Sequence, residues 1–347
     1  MQNERDHLAT RIPVSLITGF LGSGKTTLIS KLVRHSDMNK VAVIINEVGE
    51  IGIDHDLVSM SSENISLLAN GCICCSVRTD LQETLRDLFT QRRSGVIPEF
   101  DRVMIETTGL ADPAPVIQTL MSDTLLGAQF RLDGMITLID AFHGLQLLKT
   151  ETIANKQIAI ADCILITKTD LVNKVSLEEL RGSIEQLQPL AEIYLSLNGE
   201  ISPKQLINLG LSSTRSNEQT LYFLGESLER PRSSIERYLG DRPSFHDLSI
   251  QTLSLRFESN FSWAGFSSAL ELLTQLRGPD LLRVKGIVNV QGKPVVVQGV
   301  QHIFHPPVEL DRWPSEDHQT RLVFITRNIE ESVIRNLFTA VGAIAPN

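Results

Sequence analysis

The chain has 347 residues, 42% hydrophobic and 21% charged, with a net charge of −9. That is enough for two domains of ordinary size, with a core that needs no disulfide support. The acidic balance, without any run of five Lys or Arg, argues against nucleic acid or an anionic membrane as partner and leaves small molecules and other proteins.

The start, from Met1 to His7, is polar and lacks the apolar core of a signal peptide, and no segment offers 18 uninterrupted apolar residues. The expectation is a cytoplasmic protein outside the membrane. Three of the four cysteines fall in Cys72-Ile73-Cys74-Cys75. Adjacent cysteines bridge only with difficulty, so reduced thiols are expected, not a secreted disulfide framework.

From Ile12 to about Ile193 short β-branched runs alternate with longer amphipathic stretches, which predicts an α/β domain with a mostly parallel sheet. The predicted strands are Val14–Thr18, Val41–Asn46, Arg102–Glu106, Met135–Asp140 and Cys163–Thr167. Each ends in a polar or glycine-containing segment, so chemistry should gather at the carboxyl ends. The first is followed by Gly19-Phe20-Leu21-Gly22-Ser23-Gly24-Lys25-Thr26, a match to G-x-x-x-x-G-K-[ST], and then by the amphipathic Thr27–Val33. In that strand, loop and helix context, Gly19, Gly22, Ser23, Gly24 and Thr27 are read as a cradle for phosphate. Lys25 reaches the β and γ oxygens, and the Thr26 hydroxyl ligates Mg²⁺.

The second strand runs into Asn46-Glu47-Val48-Gly49-Glu50-Ile51-Gly52-Ile53-Asp54, a glycine-containing acidic loop able to move and to reach a metal; Glu50 is a candidate transition-metal ligand. Asn70-Gly71 is a turn signal, so the cysteines are expected to leave a strand-like Ile65–Ala69 and to enter a helix beginning near Val77. In an extended stretch Cys72 and Cys74 point to one side, and a nearby helix N-terminus favours thiolates. With no second Cys/His pair at zinc-finger spacing, Cys72, Cys74 and Cys75 suit an open, exchangeable site for a soft metal. Cys163, alone in an apolar run, reads as core.

Val103-Met104-Ile105-Glu106-Thr107-Thr108-Gly109 closes a strand on an acid. Glu106 is the candidate to hold Mg²⁺ or its water, and the Gly109 amide the candidate for the γ-phosphate, with Gly109–Pro113 a segment that senses hydrolysis. Thr167-Lys168-Thr169-Asp170 supplies base choice. Asp170 accepts from guanine N1–H and N2–H₂ together while the Lys168 stem covers the ring, which favours GTP over ATP; the common form of this motif begins with Asn where this chain has Thr167.

A polar stretch at 211–245 is expected to be a linker with a short helix, dividing a domain at 1–210 from a smaller α+β C-terminal domain at 246–347. In the latter, strands are predicted at Ser249–Phe257, Leu281–Val290, Pro294–Val300 and Arg321–Arg327, and helices at Trp263–Arg277 and from about Glu330, giving a helix over one face of an antiparallel sheet.

The phosphate loop, Asn46–Glu50, Gly71–Cys75, Glu106–Pro113 and Thr167–Asp170, in that order, resemble the CobW-type family of P-loop GTPase metal chaperones and metal-insertion proteins. The resemblance extends through Leu282-Arg283-Val284-Lys285-Gly286, Trp313 and Leu322-Val323-Phe324-Ile325, and so covers most of the chain. It implies slow hydrolysis of GTP to GDP, with Mg²⁺, coupled to delivery of Zn²⁺, Co²⁺ or a related ion to a client metalloprotein, with Cys72, Cys74 and Cys75 on the metal motif. Histidine-rich tracts carried by some members are missing, His302 and His305 being isolated. Two other readings of the residues remain: a P-loop kinase of a small metabolite with structural cysteines, and a nucleotide-gated metal sensor that hardly turns over.

Overall fold

Strands buried on both faces lose the alternation of polar and apolar residues and become continuous apolar runs. That is the character of the first unit of the chain. The computed structural model describes residues 11–38, 40–46, 58–62, 65–68, 73–76, 81–209 and 250–344 and, at 46, 58–62, 65–68, 73–76, 122, 343 and 344, the backbone alone. Strand β1 (Ile12–Gly19) leads through the glycine loop into α1 (Lys25–Leu32). There follow β2 (Val41–Asn46), β3 (Val58–Ser62), β4 (Ile65–Leu68), β5 (Ile73–Ser76), α2 (Leu81–Ser94), β6 (Arg102–Thr107), α3 (Ala114–Ser122), α4 (Thr124–Gln129) and β7 (Phe130–Asp140). Helices α5 (Gly144–Thr150) and α6 (Thr152–Ala159), β8 (Cys163–Thr167), α7 (Lys174–Leu187) and β9 (Glu192–Ser196) complete it.

The sheet has the order β3-β4-β5-β2-β6-β1-β7-β8-β9. It is parallel from β5 to β9, and β3 and β4 add an antiparallel edge. The chain moves to one side of β1 first and to the other side from β7 onward, which places a topological switch at the carboxyl end of β1. Helix α1 covers one face, where Leu28, Ile29 and Leu32 join Ile17, Val43, Met104, Ile136 and Cys163 in one buried cluster. Each such side chain taken from water contributes about 1.5–3 kcal/mol. Burial pushes the Cys163 thiol pKa up, so this cysteine is the inert core residue expected of it. Helix α6 lies over the other face, where Thr137 Oγ1 of β7 donates to the Gln157 carbonyl at 2.8 Å.

Several elements differ from expectation, among them β3, which was not predicted. Strand β7 begins at Phe130, five residues before the predicted Met135; Arg131 and Asp133 interrupt the apolar run, but Asp133 is buried by pairing with Arg102 and with Arg131. Strand β9 has a half-exposed pattern typical of an edge and was not predicted. Ile73–Ser76 is a strand, where a passage from turn to helix was expected; the expected helix start near Val77 lies outside the described residues.

The second unit is an antiparallel sheet of β10 (Ile250–Phe257), β11 (Leu281–Val290), β12 (Lys293–Val300), β13 (Ile303–Phe304), β14 (Val308–Glu309) and β15 (Thr320–Arg327), in the order β10-β15-β11-β12-β13 with β14 on β12. The register sets Leu253 and Val284 opposite Phe324 and places all three on one face. Two helices, α8 (Trp263–Arg277) and α9 (Glu331–Ile344), cover that face where one was expected. Phe266 of α8 and Phe338 of α9 meet with ring centroids 5.4 Å apart inside the cluster. The predicted linker lies outside the described residues.

Candidate functional site

The loop after β1 is shaped by its glycines. Gly19 has φ +140°, and a Cβ there would lie 2.3 Å from the Leu138 carbonyl oxygen, so only glycine fits between β1 and β7. Gly22 and Gly24 also have positive φ, and Gly24 caps α1 in the left-handed region. A helix that starts there presents the N–H groups of its first turn to the loop.

Lys25 is buried, and its Nζ donates to the carbonyls of Gly19 at 3.0 Å and Phe20 at 3.4 Å, folding the ammonium back into the cradle. The Ser23 hydroxyl is buried with no hydrogen-bond partner among the described residues. A phosphate oxygen would satisfy it, so the donor set fits an anion. Thr27 follows on the exposed side of the helix start.

Glu106, next to the last residue of β6, is fully buried, and its Oε1 accepts from Thr26 Oγ1 at 3.0 Å. A hydroxyl and a carboxylate side by side are the hard oxygen donors that suit Mg²⁺. Thr107 Oγ1 donates to Thr18 Oγ1 at 2.9 Å and ties the ends of β6 and β1 together. Beyond it Gly109 lies against the phosphate loop; a Cβ there would sit 2.6 Å from the Leu21 amide nitrogen.

The end of β8 closes the other side. Thr167 Oγ1 donates to the Ser23 carbonyl at 2.8 Å, so the threonine in the place of the usual Asn fastens the base segment to the phosphate loop. Lys168, in the left-handed region, extends its Nζ to Asp140 Oδ2 at 2.6 Å. Burial works to raise the Asp140 carboxyl pKa, but Lys168, the His143 ring and the Phe142 and His143 amides outweigh it and hold it below the ordinary carboxylate range. Asp170 stands exposed beyond this cluster.

Lys25, Thr26, Glu106, Gly109, Lys168 and the glycines thus share the carboxyl edge of one sheet. Cys72, Glu50 and most of the acidic loop lie outside the described residues. For Cys74 and Cys75 the backbone is described: they pair in parallel with Val43 and Ile44 of β2, whose other neighbours are Met104 and Ile105. Cys75 therefore lies two strands from Ile105, roughly 10 Å across the sheet at one strand spacing per step, and one residue short of the level of Glu106.

Two elements of this edge escaped the sequence reading. The turn Leu197–Glu200 after β9 brings Gly199 against the Thr27 carbonyl, and Asn198-Gly199 is the turn dipeptide that could have marked it. Gln157 of α6 donates to backbone carbonyls beyond Glu106 and carries no sequence signal.

The family described as CobW/HypB/UreG nucleotide-binding domain matches residues 13–195, and the cobalamin synthesis protein cobW C-terminal domain matches residues 250–341. The chain is 34% identical over 338 residues to the zinc chaperone YjiA of Escherichia coli, covering 95% of this chain and 98% of that protein. It is 29% identical to the zinc-regulated GTPase metalloprotein activator 1 of Schizosaccharomyces pombe, over 94% and 85% of the two chains. The crystal structure of the zinc-bound YjiA GTPase of E. coli superposes with a TM-score of 0.74 at 31% identity, covering 95% of this chain and 99% of that one.

Proposed function

We propose, because the chain belongs to the family that joins a CobW/HypB/UreG nucleotide-binding domain to a CobW C-terminal domain, that it is a GTP-hydrolysing metallochaperone: it takes up a transition-metal ion, zinc foremost, and passes it to a client metalloprotein. We take 1–210 as the catalytic domain and 246–347 as the smaller one.

The observation that carries this reading is the shared sheet edge. The phosphate loop follows β1, Glu106 lies on the neighbouring β6, and the strand holding Cys74 and Cys75 is separated from β6 by β2 alone, all in one sheet. A change at the γ-phosphate thus has a short physical route to the cysteines.

GTP is the first substrate. The α1 N-terminus, Lys25 and Ser23 bind its phosphates, and Lys168 and Asp170 bind its guanine. Thr26 and Glu106 would hold Mg²⁺, which when bound offsets charge on the phosphate oxygens. The metal ion is the cargo, taken by the thiolates of Cys72, Cys74 and Cys75 with Glu50 as a further candidate ligand. Cobalt stands as an alternative cargo, because thiolates accept several ions.

The test is phosphate release from Mg²⁺GTP and from Mg²⁺ATP. Release is expected with GTP and much less with ATP. Asp170→Ala should lower the affinity for GTP by about 10²-fold and bring it near that for ATP, since the paired acceptor for guanine is lost. Equal use of GTP and ATP by the unaltered protein would rule out the assignment of the base site.

A further inference from the structure

We propose that Gln157, with Lys156 beside it, is a positioning residue for GTP hydrolysis: it holds the Gly109–Asp112 segment against the phosphate loop so that the Gly109 amide is in place for the γ-phosphate. The inference rests on the GTPase reading above and adds to it a residue from a part of the chain that belongs to none of the nucleotide motifs.

Gln157 sits in α6, only 1% exposed, and its Nε2 donates to the Gly109 carbonyl at 3.2 Å and to the Ala111 carbonyl at 3.1 Å. Both amide hydrogens are therefore used on one short stretch of backbone. Its Oε1 is buried with no hydrogen-bond partner among the described residues. Reversing the amide would turn that oxygen toward two carbonyls and create repulsion, so the two acceptors dictate the orientation. A buried acceptor left unsatisfied calls for an explanation, and here it is the double clamp on the other side of the amide.

The next residue back reinforces the clamp. Lys156 Nζ is 3.1 Å from Asp112 Oδ2, and Asp112 Oδ1 accepts from the Ala114 amide at the start of α3. The Ala111 amide donates to the Thr108 carbonyl, so the clamped stretch is itself a turn. On its far side Gly109 meets Leu21 of the phosphate loop. The segment is held between the loop and Gln157.

The clamp is anchored firmly. Thr137 of β7 donates to the Gln157 carbonyl, and the Asp162 carboxylate and amide bond to Met135 of the same strand just past the helix. Nearby, β8 begins at Cys163 and runs to the base segment. One residue thus ties the segment after Glu106 to β7.

GDP has no γ-phosphate to meet Gly109, whereas hydrolysis and the binding of a GTP analogue depend on it. Gln157→Met keeps the volume and removes both donors. In Gln157→Met, kcat is expected to fall about tenfold, and the preference for a non-hydrolysable GTP analogue over GDP to fall by a similar factor, with the Kd for GDP unchanged. Lys156→Met, partly exposed and safe for folding, should shift both readouts the same way by about threefold, and Lys156→Arg should restore them.

Wild-type kcat and analogue preference in both folded Met variants would overturn the proposal. So would losses of GDP affinity and Tm that account for the whole fall in kcat, since those mark a purely structural role. A wild-type protein that releases no phosphate refutes the GTPase reading itself, and the analogue-to-GDP ratio then still decides whether Gln157 places the segment.

Discussion

Lys25→Ala is expected to lower kcat/KM for GTP by about 10²- to 10³-fold, the effect of removing one preorganised charge from a phosphoryl-transfer site, or about 2.7–4 kcal/mol. The buried ammonium donates to the Gly19 and Phe20 carbonyls, which both curves the loop and holds the charge inside the cradle. Phosphate oxygens are stronger acceptors for it, because a bond between two charged groups is about twice as strong as one with a neutral acceptor. Alanine removes charge and reach together, while Gly19, Gly22 and Gly24 keep the backbone path. The variant should therefore stay folded, with a Tm near that of the wild type, and isothermal titration should show GTP affinity reduced. Wild-type turnover in Lys25→Ala would remove the loop from the catalytic assignment.

The second large effect is expected in the cargo site. Replacing Cys72, Cys74 and Cys75 together by Ser should weaken zinc binding on the order of 10³-fold or more, because three thiolates supply most of the several kcal/mol each that such a site draws from its ligands. Serine keeps the size but offers a neutral, hard oxygen. GDP binding should be unchanged, because Cys74 and Cys75 lie on β5, separated from β1 by β2 and β6. Competition against a chromophoric chelator reads the zinc affinity directly. Undiminished affinity in the triple variant would move the cargo site elsewhere on the chain.

What could be read from the sequence was what is local in it. The phosphate loop occupies eight consecutive residues between a strand and a helix, and its required context lies within the next turn of the chain. Helix α8 and strand β11 kept their predicted limits. Legibility failed where a tertiary partner changes the meaning of a residue. Arg131 and Asp133 look like loop residues until Arg102, about thirty positions away, neutralises the carboxylate inside the sheet.

Ile73–Ser76 reads as a turn toward a helix because Asn70-Gly71 precedes it, yet β2 and β4 supply pairing on both sides and make it a strand. Gln157 is the clearest case. A glutamine in a short helix is ordinarily solvated, and only the return of Gly109 and Ala111, more than forty residues earlier in the chain, makes it a buried donor to backbone. The segment after β8 lay between these extremes: the pattern Thr167-Lys168-Thr169-Asp170 is visible in the sequence, whereas the bond from Thr167 to Ser23 that joins it to the phosphate loop is not.

The cysteine motif gained a location from the fold that its spacing alone did not supply. Its strand is bonded to β2, β2 is bonded to β6, and β6 carries Glu106 near its end. The proposed coupling between the γ-phosphate and the cysteines would have to cross two strand pairings. For such a device to swing between loaded and empty, the nucleotide must favour one arrangement by several kcal/mol, about 5.5 for a shift from 1:99 to 99:1.

The zinc affinity of the whole protein should therefore be measured with Mg²⁺ and a non-hydrolysable GTP analogue, and again with Mg²⁺ and GDP. The account predicts a higher affinity with the analogue, by tenfold or more, which corresponds to about 1.4 kcal/mol or more of coupling between the two sites. Equal affinities in the two nucleotide states would contradict it.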